Sequence, residues 1–422
     1  MSDLLEIAER MWSGTASTDV QSHHPVTQDM GLAEVADRTA FNAAFGNVCA
    51  FDTDDGLLLV DTGNQVFAAT NHERIRAWNT ERLGTVVYTH GHIDHVFGMA
   101  PFDEEASTNG WDPPHVVAHE LVPPRFERYV LTAGYNGIIN QRQFQFPRPY
   151  WPTEYRQPDE VYRDHHTLTV GDESWELHHD KGETDDSTWV WNPGRKVLCT
   201  GDLFIWASPN CGNPQKVQRY PREWAMGLRK MAGLGAEVLL PGHGLPIMGH
   251  DRITQALSDA AELLESLVEQ TLALMNDGAR LDDIVQAVRA PAHLLDKPYL
   301  RPVYDEPEFV VRNLWRLYGG WYDGNPARLK PAPDAAIAAE LASLAGGATR
   351  LAERAAELAA AGDLRLAGHL AELAAQAAPD DVGVHRVRAE VFGQRAKEER
   401  STMSKGVFAW TQRESQAKAE GT

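Results

Sequence analysis

The run TVVYTHGHIDH, residues 85–95, constrains this chain more than any other stretch. A short β-branched strand, TVVYT, feeds without a break into THGHIDH, which sets His90, His92, Asp94 and His95 within six positions. Imidazole nitrogens and a carboxylate together suit zinc or a similar divalent ion. A lone histidine is more often structural, but packing does not explain four potential ligands crowded at this spacing just past a strand end. The chain must therefore adopt a fold that gathers strand-end loops at one place, as α/β folds do.

The surrounding texture agrees. From about Asn47 to His250, short apolar runs (NVCAF, LLLVDTG, HVVAH, KVLCT, AEVLLPG) alternate with turns and with helical patterns such as NHERIRAWNTERLG. Several runs are almost wholly apolar, which predicts strands buried on both faces. NVCAF and LLLVDTG around DTDDG read as a hairpin. After about Asp251 the pattern becomes helical, and RITQALSDAAELLESLVEQTLALMNDG ends on Gly278, a plausible cap. LDDIVQAVRA and PEFVVRNLWRLYGG read as shorter helices. From Asp334 onward Ala, Leu, Glu and Arg recur at a period of 3.6, and AERAAELAAAGDLRLAGHLAELAAQAAPDD reads as a tetratricopeptide-like hairpin with small residues for close helix packing. The expected divisions are an N-terminal segment with one short helix (1–40), an α/β domain (41–255), a helical extension (256–332), a helical region that pairs with a second copy (333–405) and a tail (406–422).

Charge and cysteine content narrow the partners and the compartment. With 39 Lys and Arg against 60 Asp and Glu, the net charge of −21 disfavours nucleic acid or an anionic membrane as a partner. Cys49, Cys199 and Cys211 are an odd number without metal-site spacing, as in a reduced protein. The N-terminus has no continuous apolar segment of a signal peptide, and no run is long enough to span a bilayer. A cytoplasmic location is expected.

THGHIDH resembles the HxHxDH motif of the metallo-β-lactamase superfamily, and other motifs of that superfamily follow in order. LLLVDTG carries Asp61, LCTGDLF carries Asp202 and LLPGHG carries His243. The resemblance implies an αββα sandwich with two metals at one edge of its sheets, Asp202 as a bridging ligand and His243 as the last histidine. Where most of the superfamily has G-H-T and a third histidine, this chain has G-E-T with Glu183. That replacement marks the alkylsulfatase branch. VRNLWRLYGGWYDGNPARLKP and the helices after it resemble the alkylsulfatase dimerisation region, so the resemblance covers about residues 40–405. The sterol-carrier-like domain of larger alkylsulfatases has no counterpart here, which makes long-chain surfactants unexpected as natural substrates.

By that resemblance His90, His92 and Glu183 hold one metal, Asp94, His95 and His243 hold the other, and Asp202 bridges them. Asp94 and Asp202 then act directly in catalysis through a hydroxide between the metals. Zinc is the first expectation, with manganese or iron as alternatives. The expected reaction is hydrolysis of alkyl, and by extension aryl, sulfate esters. A sulfate needs cationic and amide partners, and two polar, Gly-rich segments offer them. SPNCGNPQKVQRY carries Asn210, Lys216 and Arg219, and TAGYNGIINQRQF, read as a loop, carries Asn136, Asn140 and Arg142. Tyr150, Trp151, Trp206 and Trp321 are candidates for an apolar wall. The alternatives are a hydrolase of the same fold acting on a thioester, lactone or phosphodiester, and a non-catalytic helical assembly protein. The C-terminal helices predict a homodimer.

Overall fold

A computed structural model of the chain describes residues 3–19 and 23–421. The chain divides into two compact units, Met1–Ala133 with Pro152–Trp321, and Gly134–Trp151 with Tyr322–Thr422.

Two sheets build the first unit. One runs β1 (Gly31–Ala36), β2 (Thr39–Ala43), β3 (Val48–Thr53), β4 (Gly56–Val60), β5 (Leu83–Val87), β6 (His115–His119) and β7 (Glu160–Tyr162), paired in that order. It is antiparallel from β1 to β4 and parallel from β4 to β7. The other contains β8 (His165–Val170), β9 (Glu173–His179), β10 (Thr188–Asn192), β11 (Val197–Ile205), β12 (Val238–His243) and β13 (Ile247–Met248), again paired in sequence order. Only β11 and β12 are parallel there.

The all-apolar strands are explained by burial on both faces. In β4, Leu57 and Leu59 pack with Ile75, Phe102 and Phe126 from the helices Ala68–Trp78, Ala100–Asn109 and Val122–Leu131. Leu58 and Val60 point the other way, into a core shared with Trp175, Trp189 and Leu198 of the second sheet. That core continues to Leu228 and Leu263 on the helices Pro221–Ala232 and His250–Asn276. This is an αββα sandwich. The hairpin at DTDDG and the helix His250–Asn276 match the sequence reading, and Gly278 adopts φ +80°, the left-handed conformation of a C-cap.

Three features differ from the sequence reading. The N-terminal segment, read up to residue 40 as holding one short helix, contains β1 and the start of β2 as well as the helix Asp3–Trp12. Strands β7 and β8 were also unread, being short and half-exposed. TAGYNGIINQRQF is a helix, Ala133–Phe144, rather than a loop. Nearly all of that helix belongs to the second unit, where Gln145 donates to the Gly406 carbonyl at 2.7 Å. A Cβ on Gly406 would sit 2.1 Å from the Gln143 carbonyl oxygen, so glycine is what admits this close approach.

The rest of the second unit is the helices Asp334–Ala345, Ala348–Ala360, Leu364–Ala377, Val382–Glu398 and Thr402–Glu420. Asp363, Asp381 and Ser401 cap the last three through their side chains. Ala355, Ala367 and Ala371 are fully buried between helices, the close packing that small residues permit.

Candidate metal centre

The parallel strands bring their carboxyl ends together, and the candidate ligands follow them. β5 leads through Thr89 to His90 and His92, β12 ends on His243, and Asp202 lies on β11 beside it. Glu183 sits on the turn between β9 and β10. A Cβ on Gly242 would fall 2.1 Å from Asp202 Oδ1, so only glycine lets β12 run this close to that carboxylate.

The donor atoms form two groups, each within 4.8 Å: His90, His92, Glu183 and Asp202, and Asp94, His95 and His243. His90 Nε2 is 2.8 Å from His92 Nδ1 and 3.8 Å from Glu183 Oε2, which is 3.5 Å from His92 Nδ1. Asp94 Oδ2 lies 3.3 Å from His243 Nε2 and 3.8 Å from His95 Nε2. Asp202 faces both groups. Its Oδ2 is 3.8 Å from His90 Nε2 and 3.4 Å from His243 Nε2, and its Oδ1 is 3.3 Å from His95 Nε2. Ligands about 2.0–2.1 Å from a tetrahedral zinc lie about 3.3–3.4 Å apart, and the separations of 3.3, 3.3, 3.4 and 3.5 Å match the edges of such a coordination shell.

The far sides of the rings fix their tautomers. His95 Nδ1 is 2.7 Å from Asp61 Oδ2, an acceptor, so the proton is on Nδ1 and the Nε2 lone pair faces the centre. Thr89 donates its hydroxyl to Asp61 and must therefore accept from His90 Nδ1, 3.0 Å away. His243 Nδ1 faces the Pro25 carbonyl at 3.2 Å. Three imidazoles are thus held as metal ligands usually are, with the remote nitrogen committed to a protein acceptor. Asp61 adopts φ +61° to make these bonds, a left-handed conformation that aspartate tolerates better than most side chains.

Electrostatics fit a cation. Burial lowers His90 to about 4 and lowers His92 well below its ordinary value, so both rings are neutral lone-pair donors. Against burial, the surrounding carboxylates, led by Asp202, raise His95 well above its ordinary value and His243 to about 10, a pull toward positive charge that a divalent ion would answer in place of the protons. Burial raises Glu183 to about 8, with Arg219 opposing and Asp202 adding to the rise. Glu183 Oε2, Asp202 Oδ1 and His95 Nε2 are buried without a hydrogen-bond partner among the described residues, and all three point into the centre. Divalent ions would satisfy these orphaned atoms, so the residues present fit the group.

Support for the loop comes from residues that the sequence reading did not assign. Asp186, fully buried, accepts from the Gly91 amide at 3.0 Å and from Arg125 Nε at 2.6 Å, and thereby braces the turn between His90 and His92. Arg125 also reaches Asp185. The only sequence signal was the acidic pair that follows G-E-T.

The expected substrate contacts are placed unevenly. Asn210 and Arg219 do not stand free: Asn210 Nδ2 donates to Glu183 Oε1, and Arg219 donates to the Glu183 carbonyl. Lys216 is partly exposed and close enough for its charge to interact with Asp94 and Glu183. Asn136, Asn140 and Arg142 lie on the helix Ala133–Phe144 of the second unit. Trp206, read as a possible wall, is core: it is fully buried and donates Nε1–H to the Leu245 carbonyl at 2.7 Å. Tyr150 and Trp321 are exposed.

The family model described as the metallo-beta-lactamase superfamily matches residues 42–243, the span that supplies every member of the paired centre, and the model for alkyl sulfatase dimerisation matches residues 280–418. Together the two matched spans take in most of the chain, which in both resembles the alkylsulfatase branch of the metallo-beta-lactamase superfamily. Among curated proteins of this branch, a linear primary-alkylsulfatase of a Pseudomonas species is 25% identical over 367 residues, 81% of this chain and 68% of that protein. An alkyl/aryl-sulfatase of Saccharomyces cerevisiae is 25% identical over 342 residues, 73% of this chain and 52% of that protein. The solved structure of the stereoselective inverting sec-alkylsulfatase Pisa1 from a Pseudomonas species superposes with a TM-score of 0.82 at 23% identity. It covers 94% of this chain and 66% of its own, and it shows the shared fold. The chain thus spans between half and about two thirds of the length of these branch relatives.

Proposed function

We propose that this protein is a dinuclear metal-dependent sulfatase that hydrolyses sulfate esters of alkyl alcohols, with aryl sulfates as the wider class. The observation that carries this reading is Glu183, the branch-marking carboxylate, set with Oε2 toward His90 and His92 and Oε1 toward Arg219 and Asn210. His90, His92 and Glu183 would hold one ion, Asp94, His95 and His243 the other, and Asp202 both. Zinc suits the histidine-rich donor set best, with manganese or iron as alternatives.

When bound, the two ions supply Lewis acidity toward the ester and a water activated for attack near neutral pH. The chain's own residues do the rest. Thr89 and Asp61 keep His90 and His95 in the tautomers that point Nε2 inward. Lys216 supplies positive charge for the sulfate, whose oxygens gain negative charge as the ester bond breaks. Arg219 offsets the charge that Glu183 adds. The proposed form is a homodimer joined through the C-terminal helices. Three buried free cysteines suit a reducing compartment, the cytoplasm in this reading.

Release of inorganic sulfate should be measured with p-nitrophenyl sulfate and hexyl sulfate, beside hydrolysis of an acyl thioester, a lactone and a phosphodiester. Turnover of the sulfates, abolished by a chelator and restored by zinc or manganese, is the expected result. Turnover confined to the thioester, lactone or phosphodiester would remove the sulfatase assignment while leaving the metal centre intact.

A further inference from the structure

Away from the paired centre, the surface of the second sheet carries a third group of metal-capable side chains. His165, Glu176 and His178 present one donor atom each within 4.8 Å of the others. The set is built on backbone pairing. His165 on β8 and His178 on β9 are direct cross-strand partners, and their rings lie 4.6 Å apart, centroid to centroid. Glu176 is two residues from His178 on the same strand and therefore on the same face. Its Oε2 stands 3.2 Å from His178 Nε2.

The site is also stiff. His178 stacks on Trp189, its partner on β10, at 4.0 Å and 11°. Trp189 is itself buried and donates Nε1–H to Asp180 Oδ2 at 3.0 Å. One ring of the trio is thus held in place before any ligand arrives, which reduces the ordering that binding requires. His165 is exposed, while Glu176 and His178 are only partly so. An incoming ion reaches the trio from solvent and keeps open positions for water.

We propose that His165, Glu176 and His178 form a third metal site, separate from the paired centre, which takes one borderline transition-metal ion such as Zn2+, Cu2+ or Ni2+. Two imidazoles and one carboxylate select this class over Mg2+ and Ca2+, which prefer shells of oxygen. The site has a structural consequence. Among the described residues β8 is the edge strand of its sheet, hydrogen-bonded only to β9. A metal shared by His165 on β8 and by Glu176 and His178 on β9 clamps that edge. The proposal does not depend on the sulfatase reading.

The test uses the full chain with its paired centre saturated with zinc. Further zinc is titrated by calorimetry, and one equivalent of Cu2+ is added in a parallel sample for electron paramagnetic resonance. Wild type should take up one more zinc per chain, and the copper spectrum should show coupling to two nitrogens. His165→Ala should weaken this uptake by about tenfold or more and reduce the coupling to one nitrogen. Glu176→Gln should weaken it while keeping both nitrogens. Both variants should retain the zinc content of the paired centre. Absence of the additional equivalent in wild type, or equal uptake by wild type and both variants, would overturn the proposal.

Discussion

Arg219 and Glu183 form a buried ion pair, with Nη1 3.2 Å from Oε1 and each side chain only 2% exposed. The pair explains how a carboxylate can stand where a neutral imidazole is usual in this superfamily. Glutamate brings an extra negative charge into a centre that already holds Asp94 and Asp202, and the guanidinium offsets it. Arg219 and Asn210 also divide the labour of the carboxylate, engaging Oε1 and leaving Oε2 for the ion.

Removing the guanidinium should therefore damage the metal centre more than substrate affinity. Arg219→Met leaves a buried carboxylate without its partner, a loss of about 3–5 kcal/mol in comparable pairs. Metal analysis and thermal unfolding should show lower occupancy and a lower melting temperature. A change in KM alone, with full metal content, would return Arg219 to the role of a substrate contact.

Glu183→Gln keeps the volume but loses the anionic oxygen, so metal occupancy and sulfate release should both fall, turnover by about 100-fold. Glu183→His restores the commoner ligand but is shorter in reach, and it leaves Arg219 without a counter-charge. That variant should bind metal, hydrolyse sulfate esters poorly and show gains on phosphodiesters or esters. Wild-type turnover and metal content in Glu183→Gln would show that the carboxylate is not a ligand.

Asp202 faces both groups and Asp94 only one. Metal counting should accordingly find Asp202→Ala depleted in both ions and Asp94→Ala chiefly in one, with activity lower in the former. Equal stoichiometry in the two variants would contradict a bridging Asp202.

Although Lys216 keeps part of its surface exposed, desolvation of its ammonium by the surrounding protein, with the charge of Arg219, lowers it to about 8, with Asp94 and Glu183 opposing. Its charge is present below that pH and lost above it. If Lys216 binds the sulfate, KM should rise as pH passes through about 8, while Lys216→Met should show a high KM with no such inflection. Steady-state kinetics across pH 6.5–9.5, taken as about 1.5 units on either side of the transition, tests this.

The helix Asp334–Ala345 leaves Ile337, Leu341 and Leu344 exposed at 41%, 40% and 76%, on one face by their spacing. An apolar stripe of this kind marks an interface. Light scattering should find the full chain dimeric at micromolar concentration. Truncation at Pro331, or Leu341→Glu with Leu344→Glu, should lower dimer content. A monomeric full-length protein would refute the dimer.

The sequence by itself determined the sandwich and the members of the candidate centre. His90, His92, Asp94, His95, Asp202 and His243 lie on or next to buried strands, and a strand of known direction delivers its end to a predictable edge. Glu183 was legible because its neighbours Gly182 and Thr184 keep the pattern around it. Tertiary structure alone decided the rest. Asn210 and Arg219 were legible as polar loop residues, but only the fold turned them onto Glu183, across 27 and 36 residues of chain. Asp186 and Arg125 brace the Gly91 turn from 95 and 34 residues away (186 − 91 and 125 − 91), a distance that no local pattern encodes. The helix Ala133–Phe144 was read as a loop because Gly134 and Gly137 weaken local helix preference; its anchor, Gly406, lies 261 residues beyond Gln145. Periodicity and motif spacing report what a segment presents to its near neighbours, whereas the direction of a buried polar side chain depends on which distant acceptor the packed chain brings within hydrogen-bond reach.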